Sequence, residues 1–248
     1  MRAVRRAIAW LTALAILGGA GLILWTMVRG RPQDMPWAPL DLGQPIGMFT
    51  GWKLAALTDD APRCRALLDS AGVTYTTLPV RSDGPGCGYG DGIRLTAGGA
   101  RRIALAPATV GMACPVAAAL AMWEWDVVQP AAQTAFGSRV VRIDHFGSYN
   151  CRRTYGRDTG SWSEHATADA IDIAGFRLAD GGRITVLGDW RSDDDGSDNR
   201  RAAFLRTVRD GACRVFATVL SPDYNAAHRD HFHLDQAERG ALGGRACR

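Results

Sequence analysis

Lysine is almost absent. Of 29 basic residues, one is Lys53 and the others are arginines. No stretch sets clustered arginines among aromatic side chains, so the footprint of a nucleic-acid surface is lacking. No two of the six cysteines are spaced Cys-x2-Cys, which argues against a thiolate zinc site. No serine is marked as a nucleophile: Ser163 lies two residues from His165, but no Ser-His-Asp triad is needed to account for the pattern around it. The net charge of +4 on 248 residues with 47% hydrophobic content fits one globular domain with an appendage.

The appendage is a run of apolar residues. Ala7 to Val28 carries no charge over 22 residues, and a helix of that length covers roughly 30 Å, enough to cross a bilayer. Arg2, Arg5 and Arg6 precede it, which favours a cytoplasmic amino end. Arg29 and Arg31 follow, so the bias is modest. A cleaved signal has a shorter apolar core and a small-x-small cleavage site, whereas this run closes Trp25-Thr26-Met27-Val28-Arg29. An uncleaved anchor over residues 1–30 is the preferred reading, with a cleaved signal as the other. On either reading the remainder is exported, and its expected place is the periplasm, tethered to the inner membrane. Pro32, Pro36, Pro39 and Pro45 oppose helix, so residues 31–60 are expected to form an extended linker. Residues 61–248 are expected to form the domain.

An even cysteine count on an exported domain implies disulfides. Cys64, Cys87, Cys114, Cys151, Cys213 and Cys247 make three, with 15 possible connectivities. The pairing taken here is Cys64–Cys87, Cys151–Cys213 and Cys114–Cys247. Short helices are expected over Ala61–Gly72 and Phe204–Cys213, and a long one over Pro115–Ala135, kinked or ended early by Pro130. Strands are expected over Val73–Val80, Arg139–Ile143 and Val215–Leu220. Hairpins are expected to turn at Gly98-Gly99 and at Asp180-Gly181-Gly182. Trp190 to Arg201 reads as a charged surface loop, with a metal site at Asp193-Asp194-Asp195 not favoured.

Two stretches concentrate the chemistry: Ser163-Glu164-His165-Ala166-Thr167-Ala168-Asp169-Ala170-Ile171-Asp172-Ile173, and Asp230-His231-Phe232-His233. In the first, strand alternation sends Ile171 and Ile173 inward and Asp172 to the other face. In the second it sends Phe232 inward and both imidazoles outward. His165 and Asp172 are seven apart, about 10 Å along a helix, too far to share one ion at about 2 Å from each. His165 must therefore sit on a turn, made by Ala166 to Asp169, that folds back over the Asp172 strand. A single histidine would carry little weight. His-x6-Asp together with Asp-His-x-His offers imidazoles and carboxylates that suit zinc with an open position.

These residues resemble the LAS group of zinc peptidases, which includes D-alanyl-D-alanine carboxypeptidases, murein endopeptidases and the Hedgehog signalling domain. The group's pattern Ser-x-His-x-x-Gly-x-Ala-x-Asp is matched at Ser163, His165, Ala170 and Asp172. It departs at Ala168, where the group has glycine and where alanine tolerates positive φ poorly. The region from about Cys64 to Cys247 is similar to the bacterial extensin-like C-terminal domain family, a branch related to that group, although no hydroxyproline-rich repeat is present.

The resemblance implies an α+β fold: an antiparallel sheet with flanking helices around a LAS/Hedgehog-like zinc peptidase core, disulfide-stapled. It implies His165, Asp172 and His233 as metal ligands, Asp230 as general base, and His231 as oxyanion stabiliser or water orienter. Gly147-Ser148-Tyr149-Asn150-Cys151-Arg152 looks like a variant of the group's substrate-carboxylate segment. That makes Arg152 the candidate anchor and Arg153 the second. Ser163 stands with them on the substrate side and orients the His165 loop. The implied activity is zinc-dependent cleavage of peptidoglycan stem-peptide or cross-link amides, as an endopeptidase or a carboxypeptidase. The alternative is a zinc-containing wall-binding scaffold without turnover. His145 reads as structural, and His228 as a residue behind the ligands or in solvent.

Overall fold

The computed structural model describes residues 2–191, 197–238 and 244–248. In chain order the helices are α1 (Arg2–Gly30), α2 (Thr50–Ala55), α3 (Ala61–Ser70), α4 (Cys114–Trp123), α5 (Gln129–Phe136), α6 (Val186–Asp189) and α7 (Ser197–Ala212). The first five strands are β1 (Val73–Thr77), β2 (Arg81–Ser82), β3 (Gly88–Tyr89), β4 (Ile93–Gly99) and β5 (Ala104–Ala106). The remaining six are β6 (Val140–Gly147), β7 (Ala170–Leu178), β8 (Arg183–Thr185), β9 (Thr218–Leu220), β10 (Phe232–Asp235) and β11 (Ala246–Cys247). The chain is α+β. Its main sheet runs β11-β9-β10-β7-β6-β5, with β8 also pairing β7.

That sheet is mixed rather than purely antiparallel. β5 runs parallel to β6 and β11 parallel to β9, while the remaining pairs are antiparallel. The chain does turn at Gly98-Gly99, with an antiparallel bridge between Gly98 and Arg101, but β4 and β5 do not pair. β4 instead pairs back onto β1, and β5 joins the main sheet. The Asp180-Gly181-Gly182 turn does join β7 to β8.

One face of the main sheet carries the core. Ile171 and Ile173 are fully buried and Asp172 is not, as alternation requires. Further along β7 the buried residues become Phe176 and Leu178, which is the opposite parity. The ladder explains the switch: Ile173 faces His145 but Gly175 faces Asp144, so Ala174 is an extra residue. Such a bulge resets which side chains point inward. Trp123 of α4 packs on Phe176 and donates from Nε1 to the Val208 carbonyl of α7 at 2.8 Å. Phe204 of α7 meets Phe176 edge-on at 5.2 Å between centroids.

Pro130 does not end the long helix, which continues to Phe136. Residues Glu124–Val128 widen into a π turn between α4 and α5. Proline has no N–H for the carbonyl four residues back and its ring collides with that group; a wider turn moves the carbonyl aside.

The proline-bearing segment 31–60 lies on the domain instead of spanning free. Leu40, Leu42, Ile46, Leu54 and Leu57 are buried in the common core. Ile46 donates its N–H to Asp126 at 2.9 Å, and Arg214 donates to the Ile46 carbonyl. The single lysine, Lys53, is buried on α2 and reaches the Pro32 carbonyl.

The disulfide pairing differs from the one expected. Cys64 joins Cys114, Cys87 joins Cys151 and Cys213 joins Cys247. Cys64–Cys87, Cys151–Cys213 and Cys114–Cys247 are not formed. α3 packs against α4, which brings Cys64 beside Cys114, and β11 lies beside β9, which returns Cys247 to the end of α7. Neither proximity is visible in linear spacing. α1 is a single continuous helix, long and apolar enough to cross a membrane.

Candidate metal centre

Asp172 and His233 face each other directly across the β7–β10 ladder. Both strands turn their apolar residues to the core, Ile171 and Ile173 on one and Phe232 and Leu234 on the other. The two polar side chains are thus left together on the opposite face. His165 arrives from a 3-10 turn, Glu164–Thr167, that doubles back over β7. Ser163 caps that turn, its Oγ accepting from the His165 N–H at 3.4 Å. Ala168 closes it in the left-handed region at φ 63, the conformation for which a glycine is best suited. The turn is held from outside as well: Asn150 donates to the His165 carbonyl, and Ala113 to the Ala168 carbonyl.

Three ligand atoms converge there. His165 Nε2 stands 3.2 Å from His233 Nδ1 and 3.2 Å from Asp172 Oδ1, and His233 Nδ1 is 3.1 Å from Asp172 Oδ1. A tetrahedral ion at about 2.0 Å from each donor needs donors roughly 3.3 Å apart, so the triangle has the size required. The proton positions agree. His165 Nδ1 lies 2.6 Å from the Ser148 carbonyl, which can only accept, so Nδ1 carries hydrogen and Nε2 is the atom left to meet an ion. His233 Nε2 lies 3.0 Å from Asp235 Oδ2, which turns Nδ1 toward the same point. Histidine ligands of metals are characteristically held by such a carbonyl or carboxylate on the other nitrogen.

The electrostatics match a place prepared for positive charge. Burial opposes the charge on Asp172, but hydrogen bonds from His165 and His233 prevail and hold its carboxyl far below the usual range. Burial likewise opposes a proton on His233, yet its bonds to Asp172 and Asp235 carry it up to about 9. Beneath the turn, burial raises Asp169 to about 7, with Asp91, Glu164 and Asp235 adding to the rise.

The other sequence candidates fall into separate places. His231 Nε2 lies 3.6 Å from Asp172 Oδ1, beside the ligand triangle, while its Nδ1 meets Asp230 Oδ1 at 2.8 Å. Asp230 thus stands behind the His231 ring. His228 is buried, its ring 5.2 Å from His231, and burial lowers it to about 4. His145 is structural: it is buried and bonds the Pro107 carbonyl at 2.8 Å.

Arg152 lines the cleft of about 460 Å³ that contains the ligands. Arg153 is occupied elsewhere, donating to the Gly160 carbonyl and stacking 4.2 Å over Trp162. Asp193-Asp194-Asp195 lies outside the described residues. Sequence reasoning missed Asp235 and the Ser148 carbonyl. Asp235 had a signal, since it follows His233 by two on a strand and shares its face; a backbone carbonyl has none. It also missed Tyr155, Tyr224 and Arg248, which line the same cleft.

Mixed-sheet fold and donor triangle together describe a disulfide-bonded α+β domain with two histidines and one carboxylate placed to hold a metal ion. The chain belongs to the extensin-like family: the family model described as extensin-like protein C-terminus matches residues 62–248. No curated protein and no solved structure matches the chain.

Proposed function

We propose that this protein is a zinc-dependent peptidase of the LAS type that cleaves peptidoglycan stem-peptide or cross-link amides on the outer side of the inner membrane. One observation carries the reading: His165, Asp172 and His233 aim three donors at one point, with Ser148 and Asp235 fixing both imidazoles from behind. A purely structural zinc site closes all four positions with protein ligands, whereas three donors opening onto a cleft leave room for a reacting group.

Zinc, when bound, supplies a Lewis acid and lowers the pKa of its water from 15.7 to about 7. The chain supplies the proton path and the positioning. His231 Nε2 is the basic atom nearest the ligand triangle, and Asp230 holds the Nδ1 proton of the same ring. The Asp230–His231 pair takes the proton from the attacking water and returns it to the leaving amine. After the transfer the imidazolium is stabilised by the Asp230 carboxylate and lies where it also faces the developing oxyanion. Arg152 engages a substrate carboxylate through paired N–H donors. The α1 helix keeps this cleft at the membrane surface that faces the wall.

The test uses full-length protein in detergent, loaded with zinc and incubated with purified sacculi. New stem-peptide fragments in the mass spectrum are expected, with none from His233→Ala. Equal fragments from both proteins, or none from wild type, would end the hydrolytic reading. Wall binding without products, unaltered by Asp230→Asn, is the signature of the scaffold alternative.

A further inference from the structure

The cleft carries a second guanidinium besides Arg152, that of Arg248. His233 faces Leu220 across the β10–β9 pair, and β11 runs along the other side of β9 with Cys247 opposite Val219. Arg248 follows β11 directly, two strands from His233, which at about 4.8 Å per strand is roughly 10 Å. Arg152 lies in the loop after β6, its carbonyl accepting from the Ser163 N–H beside the His165 turn.

Arg248 is held in place. Its main-chain oxygen accepts from Ser221 N–H at 2.8 Å and from Ser221 Oγ at 2.9 Å. Its own N–H donates to the Val219 carbonyl at 2.9 Å. The residue before it is bridged to Cys213. Tyr224 of the same cleft wall has its phenol raised by the hydrogen bond with Tyr155, a rise that the Arg248 charge opposes. Among the described residues neither Arg152 nor Arg248 has an acidic partner, whereas Arg81, Arg101, Arg142 and Arg209 do. The carboxylates nearest the ion are already engaged by imidazoles, Asp172 and Asp235 by His233 and Asp230 by His231. Two cations in one cleft without an acidic partner among the described residues call for two anionic groups on one ligand.

We propose that Arg248 is a second carboxylate anchor, so that the cleft selects peptides bearing two carboxylates. This rests on the peptidase reading for which amide is cut, but binding tests it separately. Four synthetic hexapeptides are compared, identical except that a glutamate side chain near the amino end and the terminal carboxyl are each free or amidated. Their affinities for full-length, zinc-loaded Asp230→Asn protein in micelles are measured by calorimetry. The doubly charged peptide should bind about 10-fold tighter than either singly amidated one, as expected of charge-assisted pairs at a partly exposed site.

Arg248→Gln should bring one of those two ratios close to 1, and Arg152→Gln the other; Arg248→Lys should recover part of it. Each ratio is internal to one variant, so a uniform loss from misfolding does not mimic the result. No binding of the doubly charged peptide, no charge preference in the parent protein, or ratios unchanged by Arg248→Gln would overturn the proposal. Turnover of the same peptides by protein with Asp230 intact is read apart. Binding selectivity without any cleavage would sink the peptidase reading and leave the Arg248 anchor standing.

Discussion

The His233 imidazole is bracketed by two carboxylates, Asp172 at Nδ1 and Asp235 at Nε2. When an ion takes Nδ1, Asp235 is what keeps the ring turned and raises its basicity. Asp235→Asn should therefore weaken zinc affinity by about 10- to 100-fold, measured by competition with a chelating dye, while leaving the ligand set complete. The bracket also sets a pH dependence. His233 has a folded pKa of about 9, above its ordinary 6.5. Its contribution to stability is thus fully present below pH 6.5 and lost as pH rises through 9, an effect of a few kcal/mol. Asp169, raised to about 7, costs stability between pH 3.8 and 7 in the same sense. Metal-free protein should lose melting temperature between about pH 8 and 9, above most of the Asp169 titration. Zinc-loaded protein should not, since the ion has replaced the proton. Parallel melting curves for the two forms over that range would contradict the bracket. That Asp172 and His233 share the outer face was readable beforehand from strand alternation. Ser148 was not readable, because its contribution is a carbonyl that any residue owns.

At the scale of elements, the Glu164–Thr167 turn makes the site possible by shortening a seven-residue separation to hydrogen-bond distance. Its closing residue, Ala168, adopts φ 63, a conformation that costs a non-glycine residue roughly 1 kcal/mol. Gly for Ala normally destabilises. Here Ala168→Gly should be neutral or raise stability by up to about 1 kcal/mol in chemical denaturation, with zinc content unchanged. A loss like that of an ordinary helical Ala→Gly change would show that the turn is not strained. The need for a turn could be deduced from the spacing, and Ser163 as its cap from the residue type. The π turn before Pro130 could not: proline signals a break, and whether the chain bends or widens depends on the packing of Trp123 against Phe176 and α7. The bulge at Ala174 was equally silent, since it appears only when β7 is laid against β6.

For the molecule as a whole, three disulfides tie the margins to the centre. Cys64–Cys114 joins the α3 layer to α4, Cys87–Cys151 braces the segment before Arg152, and Cys213–Cys247 fastens β11 beneath Arg248. Loops of this length restrict the unfolded chain by about 4 kcal/mol each in the entropic account. The Cys213→Ser/Cys247→Ser double variant should melt well below the parent yet keep its zinc, because β7 and β10 are untouched. It should also lose the charge preference assigned to Arg248. Loss of zinc in that variant would mean that the sheet edge supports the ligands after all. That the cysteines pair was legible from their number; how they pair depended on which helices and strands become neighbours, and six positions in a line do not say so.

Facing residues on adjacent antiparallel strands stand at a separation that backbone geometry hardly lets vary. Because Asp172 and His233 occupy such a rung, two of the three protein donors are set before any ion arrives. Loading should then resemble filling a mould rather than triggering collapse. Cobalt(II) put in place of zinc should give a tetrahedral visible spectrum at once, with a far-ultraviolet dichroism trace that does not move.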